Sequence, residues 1–323
     1  MKFLITGGLG FIGSHFVEKL FQFGHEIIVL DKLTYTSTID NLDKEIYSSI
    51  EFHKVDIASK KDLSDSLDKH FGTFDWVINF AAESHVDKSV ENGVPFCNSN
   101  VLGLVNILEF MKSNGGNKMI QISTDEVYGS IKNGSWNENT PLNPRNPYSA
   151  SKASAEFFCN SYRITHGVPI ITTRCTNNFG PKQSVEKFIP KIIYSILNGI
   201  KIPIYGTGNN RREWTYVSNH IEALYAICEK NTINHDNYNI GGYELANNDL
   251  AQMIIKKMDS DLSQIDYIVD RPGHDFRYAL DDSRFKSEFQ IKEISFDSGL
   301  DQTINWYLNN SSWLAKSAKR VGL

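Results

Sequence analysis

Apolar positions along the chain fall into two alternating patterns. Short, nearly unbroken apolar runs occur at Lys2–Thr6, Glu26–Leu30, Glu51–Val55, Trp76–Phe80, Met119–Ile122 and Pro169–Arg174. Runs of that length predict strands buried on both faces of a sheet. The longer stretches Phe11–Phe23, Lys60–His70, about Pro95–Ser113, Tyr148–His166 and Asn219–Lys230 predict helices. Strand and helix in regular alternation imply right-handed βαβ crossovers and a parallel sheet. From Cys175 onward the texture changes, with Pro, Gly and Asn gathering in Asn177–Pro181 and Pro203–Gly208. The polar stretch Asn309–Leu323 is expected to fray.

Composition narrows the setting. At 323 residues, with 41% hydrophobic and 22% charged residues, the chain suits one large globular domain or two smaller ones. A net charge of −5 and the lack of a basic run give no electrostatic footprint for nucleic acid. No stretch reaches ~18 consecutive apolar residues, so no membrane span is expected, and the N-terminal apolar run is too short for a signal peptide. Cys97, Cys159, Cys175 and Cys228 lie far apart with no C-x-x-C spacing, which fits reduced packing residues of a cytoplasmic protein and implies no metal.

Chemistry enters at the end of the first strand. Gly7-Gly8-Leu9-Gly10-Phe11-Ile12-Gly13 satisfies G-x-G-x-x-G with Gly8, Gly10 and Gly13, and G-x-x-G-x-x-G with Gly7, Gly10 and Gly13. Glycines permit the tight turn and bring backbone N–H groups against a pyrophosphate at the next helix's N-terminus. The second strand runs into Asp31, about 20 residues beyond the glycines. A carboxylate there accepts from both ribose hydroxyls and repels a 2′-phosphate, which favours NAD over NADP, with Lys32 a small counterweight. Asp56-Ile57, after the third strand, is placed to contact the adenine. Ala81-Ala82, after the fourth, are small enough for close passage of a dinucleotide.

The densest chemistry lies between Ser123 and Lys152. Ser123-Thr124-Asp125-Glu126 ends a buried strand, where open α/β sheets bind their ligands. Tyr148 and Lys152 are four residues apart on a helix, hence on one face. A lysine near a tyrosine favours the phenolate, making a general base near neutral pH. Farther on, Lys187, Arg211, Arg212, Arg271 and His274 lie in Gly/Pro-rich loops with the charge to clamp a second diphosphate. Arginines spaced in this way are equally common on an ordinary surface. His85 is assigned no chemical role.

Taken together, T-G-G-x-G-F-I-G-S, D-K-L-T-Y (Asp31–Tyr35), A-A-E-S-H-V-D, S-T-D-E-V-Y-G, Y-S-A-S-K, R-C-x-N-N, I-P-I-Y-G-x-G, Y-N-I-G-G and R-P-G-H-D-x-R-Y resemble the extended short-chain dehydrogenase/reductase superfamily. More narrowly they resemble its dTDP-glucose 4,6-dehydratases, from Gly7 to about Asp281. Epimerases and decarboxylases on the same fold share Y-x-x-x-K but usually lack the Asp-Glu pair. The resemblance implies conversion of an NDP-hexose, dTDP-glucose or a UDP-sugar, to the NDP-4-keto-6-deoxyhexose with transient reduction of bound NAD. It implies that Tyr148 takes the O4 proton, Thr124 hydrogen-bonds O4, Glu126 removes the C5 proton, Asp125 protonates the departing C6 hydroxyl and Lys152 holds the cofactor ribose. Asp125 protonated beside Glu126 ionised requires environments that split their pKa values. Phe11, Ile12, Thr34, Ser99, Ser123 and Cys175 join Gly7, Gly10, Gly13, Asp31, Lys32, Asp56, Ile57, Ala81 and Ala82 as implied NAD contacts. Ser84, Asn177, Lys187, Tyr205, Arg212, Asn248, Arg271 and His274 are the implied nucleotide-sugar contacts.

Three departures from the family pattern, Lys182–Val185, Glu213 in place of the usual Asp, and Tyr243–Asn248, fall on the nucleotide-sugar side and leave the base and the C2 substituent open. The expected fold is a doubly wound parallel (Rossmann) sheet with a smaller interleaved α/β substrate-binding domain. Residues 1–175 plus about 213–240 form the first, and about 176–212 and 241–323 the second. Relatives pair through helices matching Pro95–Ser113 and Tyr148–His166, so a homodimer is expected. A nucleotide-sugar epimerase or decarboxylase, a dehydratase acting on UDP-N-acetylglucosamine, or an NAD-binding regulator are the rival readings.

Overall fold

A computed structural model describes residues 1–67, 70, 72, 74–114, 118–270 and 274–323. Six strands arrive in the expected order: β1 (Lys2–Thr6), β2 (Glu26–Asp31), β3 (Glu51–Lys54), β4 (Trp76–Asn79), β5 (Lys118–Thr124) and β6 (Ile170–Cys175). The chain then builds β7 (Asn177–Phe179), β8 (Ile202–Tyr205) and β9 (Arg211–Tyr216), returns with β10 (Asn237–Ile240), and adds β11 (Tyr243–Ala246) and β12 (Ile265–Ile268). Seven strands form one parallel sheet in the order β10-β6-β5-β4-β1-β2-β3. The strand order reverses between β1 and β4, which opens a crevice beyond their C-terminal ends. A three-stranded sheet, β11-β9-β7, and a pair, β12-β8, complete the architecture. Residues 213–216, expected with the main sheet, pair instead with β11 and β7.

Both faces of the main sheet are dry, which explains the unbroken apolar runs. Phe3, Ile5, Val29 and Ile78 pack with Phe16, Val17 and Leu20 of the helix Phe11–Gln22. Leu4, Ile28, Val77 and Met119 pack with Leu104, Ile107, Leu108 and Met111 of the helix Gly103–Asn114 on the other face. By length and hydropathy alone, Val94–Ser113 is the one described helical run fit to cross a membrane. Its apolar stripe here is core.

Two elements differ from expectation. The run expected as one helix over Pro95–Ser113 is broken by a π-turn at Cys97–Leu102. Within it Asn100 exchanges hydrogen bonds with the backbone of Glu83 and donates to Ser151. The stretch Asn309–Leu323 is not frayed; Ser311–Val321 is a helix that buries Trp313, Leu314, Ser317 and Ala318. Apolar and small residues three to four apart give it an inner face despite its polar composition.

Candidate active site

Beyond β1 the chain turns through Gly7 at φ +69°. A Cβ on Gly13 would fall 2.2 Å from the Gly7 carbonyl oxygen, and one on Gly7 would fall 2.7 Å from the Ala81 backbone nitrogen. Gly7 and Gly13 therefore have no room for a side chain. Gly10 is the N-cap of the helix Phe11–Gln22 and offers no side-chain cap, so the first N–H groups, at Phe11 and Ile12, are open to an anion. Asp31 lies buried against this turn and accepts from Leu9 N–H (3.1 Å), Leu33 N–H (2.8 Å) and the Ser37 hydroxyl (2.9 Å). Burial raises its pKa, and these bonds oppose the rise. Lys32 draws together Ser99 (2.8 Å), Glu83 (3.3 Å) and Asp56 (3.9 Å). Thr34 pairs with Thr36 (3.0 Å). Ala81 N–H donates to Thr6, and Ala82 follows at the same strand end. Ile57 is buried against Gly103, which gives it a packing role.

The catalytic candidates converge at the end of β5. Thr124 caps the turn Asp125–Tyr128, accepting Glu126 N–H at 3.3 Å and donating to Asp125 Oδ1 at 3.1 Å. Asp125 is 1% exposed and its Oδ2 has no hydrogen-bond partner among the described residues. Burial first, then the charges of Glu126 and Glu213, push its pKa well up, against Thr124 and Arg212. Glu126 is half-buried, and its Oε2 accepts from Asn146 Nδ2 at 3.0 Å. Burial, Glu126 and Cys175 raise the Tyr148 phenol well above its ordinary value, with the Thr124 hydroxyl opposing. The expected lowering of Tyr148 by Lys152 is therefore not what the structure gives. Lys152 is itself buried and lowered to about 8, and its ammonium donates to the Ile122 carbonyl at 2.6 Å.

A buried ion pair stands behind this cluster. Arg174 donates to Glu156 from Nε and Nη2 (2.6 Å for the latter), to the Glu138 carbonyl and to the Tyr128 hydroxyl. Ser123 donates to Glu156 at 2.5 Å, and the Cys175 thiol points at the Ser123 carbonyl (3.6 Å). The Ser123 hydroxyl is thus committed to the protein. The motif, the Tyr148 helix and β6 are locked by charge-assisted bonds.

The residues expected to touch a nucleotide sugar divide. Lys187 donates to the Ser84 carbonyl (3.1 Å), and Tyr205 donates to Asp87 (3.4 Å). Both contacts join the segment after β4 to elements of the second half. Asn177 is half-buried on β7. Asn248 donates to the Thr207 carbonyl (2.8 Å) and accepts from Tyr267 (3.2 Å). His274 bonds Asp270 (2.6 Å) and meets the Tyr205 ring edge-on. Arg212 is buried over the Tyr278 ring and donates to the carbonyls of Arg211, Asp275 and Phe276, a placement beside Asp125 rather than in an open loop. Arg271 lies outside the described residues. Glu51, His53 and His70 gather at β3, where both rings bond one Glu51 oxygen (2.8 and 3.1 Å) and the Lys2 ammonium stands 3.5 Å from His70. The Lys2 ammonium itself pairs with Glu26 (2.8 Å).

Sequence reasoning missed Asn146, Glu156 and Arg174, and noted Glu213 only as a departure on the nucleotide-sugar side. Asn146 alone left a local signal, an Asn-Pro three residues ahead of Ser149 at a helix start.

The family model of GDP-mannose 4,6 dehydratase matches residues 4–303. The dTDP-glucose 4,6-dehydratase of Streptomyces niveus is 37% identical over 97% of this chain and 94% of its own length. The chain belongs to the dTDP-glucose 4,6-dehydratase family. Low-salt glycan biosynthesis protein Agl12 of Haloferax volcanii is 41% identical over 96% of this chain and 99% of its own. Among solved structures, a double mutant of DesIV, the dTDP-glucose 4,6-dehydratase of Streptomyces venezuelae, has NAD and DAU bound. It superposes with a TM-score of 0.93 at 37% identity, covering 98% of this chain and 100% of that one. The family's doubly wound sheet is the fold described above.

Proposed function

We propose that this chain is an NAD-dependent nucleotide-sugar 4,6-dehydratase that converts an NDP-hexose, dTDP-glucose or a UDP-sugar, to the NDP-4-keto-6-deoxyhexose. One juxtaposition carries the reading. Asp125 and Glu126 share a cluster with Thr124 and Tyr148, close enough that both carboxyls bear on the phenol. An epimerase has no use for that acid and base.

The residues fit the dinucleotide. The crowded Gly7–Gly13 turn and the uncapped start of the helix Phe11–Gln22 would hold the pyrophosphate, Asp31 the adenosine ribose and Lys152 the nicotinamide ribose. NAD, when bound, supplies the hydride acceptor for the sugar C4 and the donor for C6, and its positive ring favours a Tyr148 phenolate. Tyr148 removes the O4 proton while Thr124 donates to O4. The C4 ketone acidifies C5–H, and Glu126 takes that proton. Asp125, held neutral by dry and anionic surroundings, gives its proton to the C6 hydroxyl, which leaves as water. As C6 is reduced, Glu126 returns its proton to C5, and the proton Tyr148 gained from O4 matches the one Asp125 gave up, so substrate and product differ by one water. Ser84, Asn177, Lys187, Tyr205, Asn248 and His274 are assigned to the nucleotide sugar, and Arg212 to the floor beneath it.

The assignment extends to a cytoplasmic homodimer with the two interleaved halves as cofactor and sugar domains. Leu102 (47% exposed), Phe157 (64%) and Ile164 (73%) are exposed apolar residues on the two helical runs expected to pair. Sedimentation as a monomer at micromolar concentration refutes the dimer. The function is tested by incubation with dTDP-glucose, UDP-glucose and UDP-N-acetylglucosamine, followed by mass analysis. Loss of one water from at least one of them is expected; an isomer of unchanged mass refutes the dehydratase reading.

A further inference from the structure

Asn146 is the N-cap of the helix Pro147–His166. The following proline holds it extended, at φ −138° and ψ 163°. Its Oδ1 accepts Ser149 N–H at 2.8 Å, and Ser149 Oγ accepts Asn146 N–H at 3.2 Å, a reciprocal capping box. With Oδ1 so committed, the amide has one orientation left. That orientation sends Nδ2 to Glu126 Oε2 at 3.0 Å. Ser, Thr and Asp cap helices as well as Asn does, but only Asn adds an N–H donor to the same side chain. The capping requirement alone therefore does not explain the residue.

We propose that Asn146 is a positioning residue for Glu126, fixing its carboxylate from the first turn of the helix that carries Tyr148. The inference rests on Glu126 being the C5 base. Among the groups bearing on Glu126 are the Asp125 carboxyl and the phenols of Tyr148 and Tyr278. Arg212, which bears on Asp125 and Tyr278, spends donors on three backbone carbonyls. The Asn146 amide supplies a fixed donor to the charged form of Glu126. Hydrogen bonding to the charged form favours that form. Because the same side chain caps the helix, the base and Tyr148, two residues farther on, are held in one frame.

The test is the pH dependence of kcat for dehydration of dTDP-glucose, followed by mass, in Asn146→Ser and Asn146→Asp. Asn146→Ser keeps a capping oxygen and loses the donor. Its melting temperature should stay within about 2 °C of the parent, while the acidic limb of the profile moves up by roughly one pH unit. Asn146→Asp keeps the cap and places a like charge against Glu126, so its limb should move farther the same way. Glu126→Gln is the control. If it loses turnover while both Asn146 variants leave the limb in place, Asn146 is only a cap and the proposal is overturned. If Glu126→Gln turns over at the parental rate, Glu126 is not the base, and the reading beneath the proposal fails instead.

Discussion

Replacing Asp125 by Asn tests at once whether this carboxyl is neutral in the folded protein and whether it is the acid. Asp125 is 1% exposed, its Oδ2 lacks a partner among the described residues, and burial with Glu126 and Glu213 raises its pKa well above 3.8. The sign follows from linkage. A folded-state pKa above the unfolded one means the native state holds a proton that the unfolded state releases. The associated stability is complete below the unfolded value and is lost as pH rises through the folded one. Across that interval the wild type loses about 1.4 kcal/mol per pH unit relative to an isostere that does not titrate. Unfolding entropy of ~2.1 cal/mol/K per residue gives roughly 0.7 kcal/mol/K for a chain of this size, so the gap should widen by about 2 °C per pH unit. Melting curves of both proteins from pH 4.5 to 7.5 should show Asp125→Asn gaining steadily on the wild type. Dehydration should slow roughly 10²–10⁴-fold, the worth of a positioned acid. A Tm difference that is flat with pH would mean the carboxyl titrates in the fold as it does in solution, and the burial argument would be wrong.

Other perturbations reach other parts of the site. Arg174→Met strands Glu156, whose pair is almost wholly buried, and should cost about 3–5 kcal/mol, seen as a Tm lower by roughly 4–7 °C; a drop under 1 °C counts against the pair. Gly13→Ala forces a Cβ to 2.2 Å from the Gly7 carbonyl. An overpacking penalty of ~1–3 kcal/mol borne by the cradle weakens NAD binding about 5- to 150-fold in a fluorescence titration, and unchanged affinity refutes the close fit. Tyr148→Phe should lower turnover by roughly 10²–10⁴-fold with little change in Tm, and parental activity removes Tyr148 from the chemistry.

What the sequence discloses depends on how local each feature is. The glycine turn, Asp31 and the Tyr148–Lys152 pair are set by short spacings; the glycine turn and Asp31 lie at the C-terminal ends of β1 and β2, and Tyr148 lies beside the residues that end β5. The direction of the Tyr148 shift was not readable. Four residues on a helix give one face, but not that the Lys152 ammonium turns to the Ile122 carbonyl while Glu126 and Asp125 press on the phenol. Arg212 misleads for a similar reason, since an arginine in a polar stretch reads as exposed until Asp275 and Phe276 arrive with their carbonyls. Glu156 and Arg174 form a pair across 18 residues that neither segment advertises. Ser311–Val321 was hidden by averaging, because its few buried positions are diluted by lysines and serines on the outer face.

That helix has a bearing on how the protein is made. Trp313 Nε1 donates to Asn41 Oδ1 at 3.1 Å, across 272 residues of chain, and Asn41 in turn donates to the Leu9 carbonyl at 2.8 Å inside the glycine turn. At ~5–20 residues per second, the ribosome delivers Trp313 roughly 14 to 54 s after Asn41. For that interval the nascent N-terminal half carries a cofactor turn whose outer brace has not been synthesised. The glycine turn of the first half is thus braced only after 272 further residues have been made.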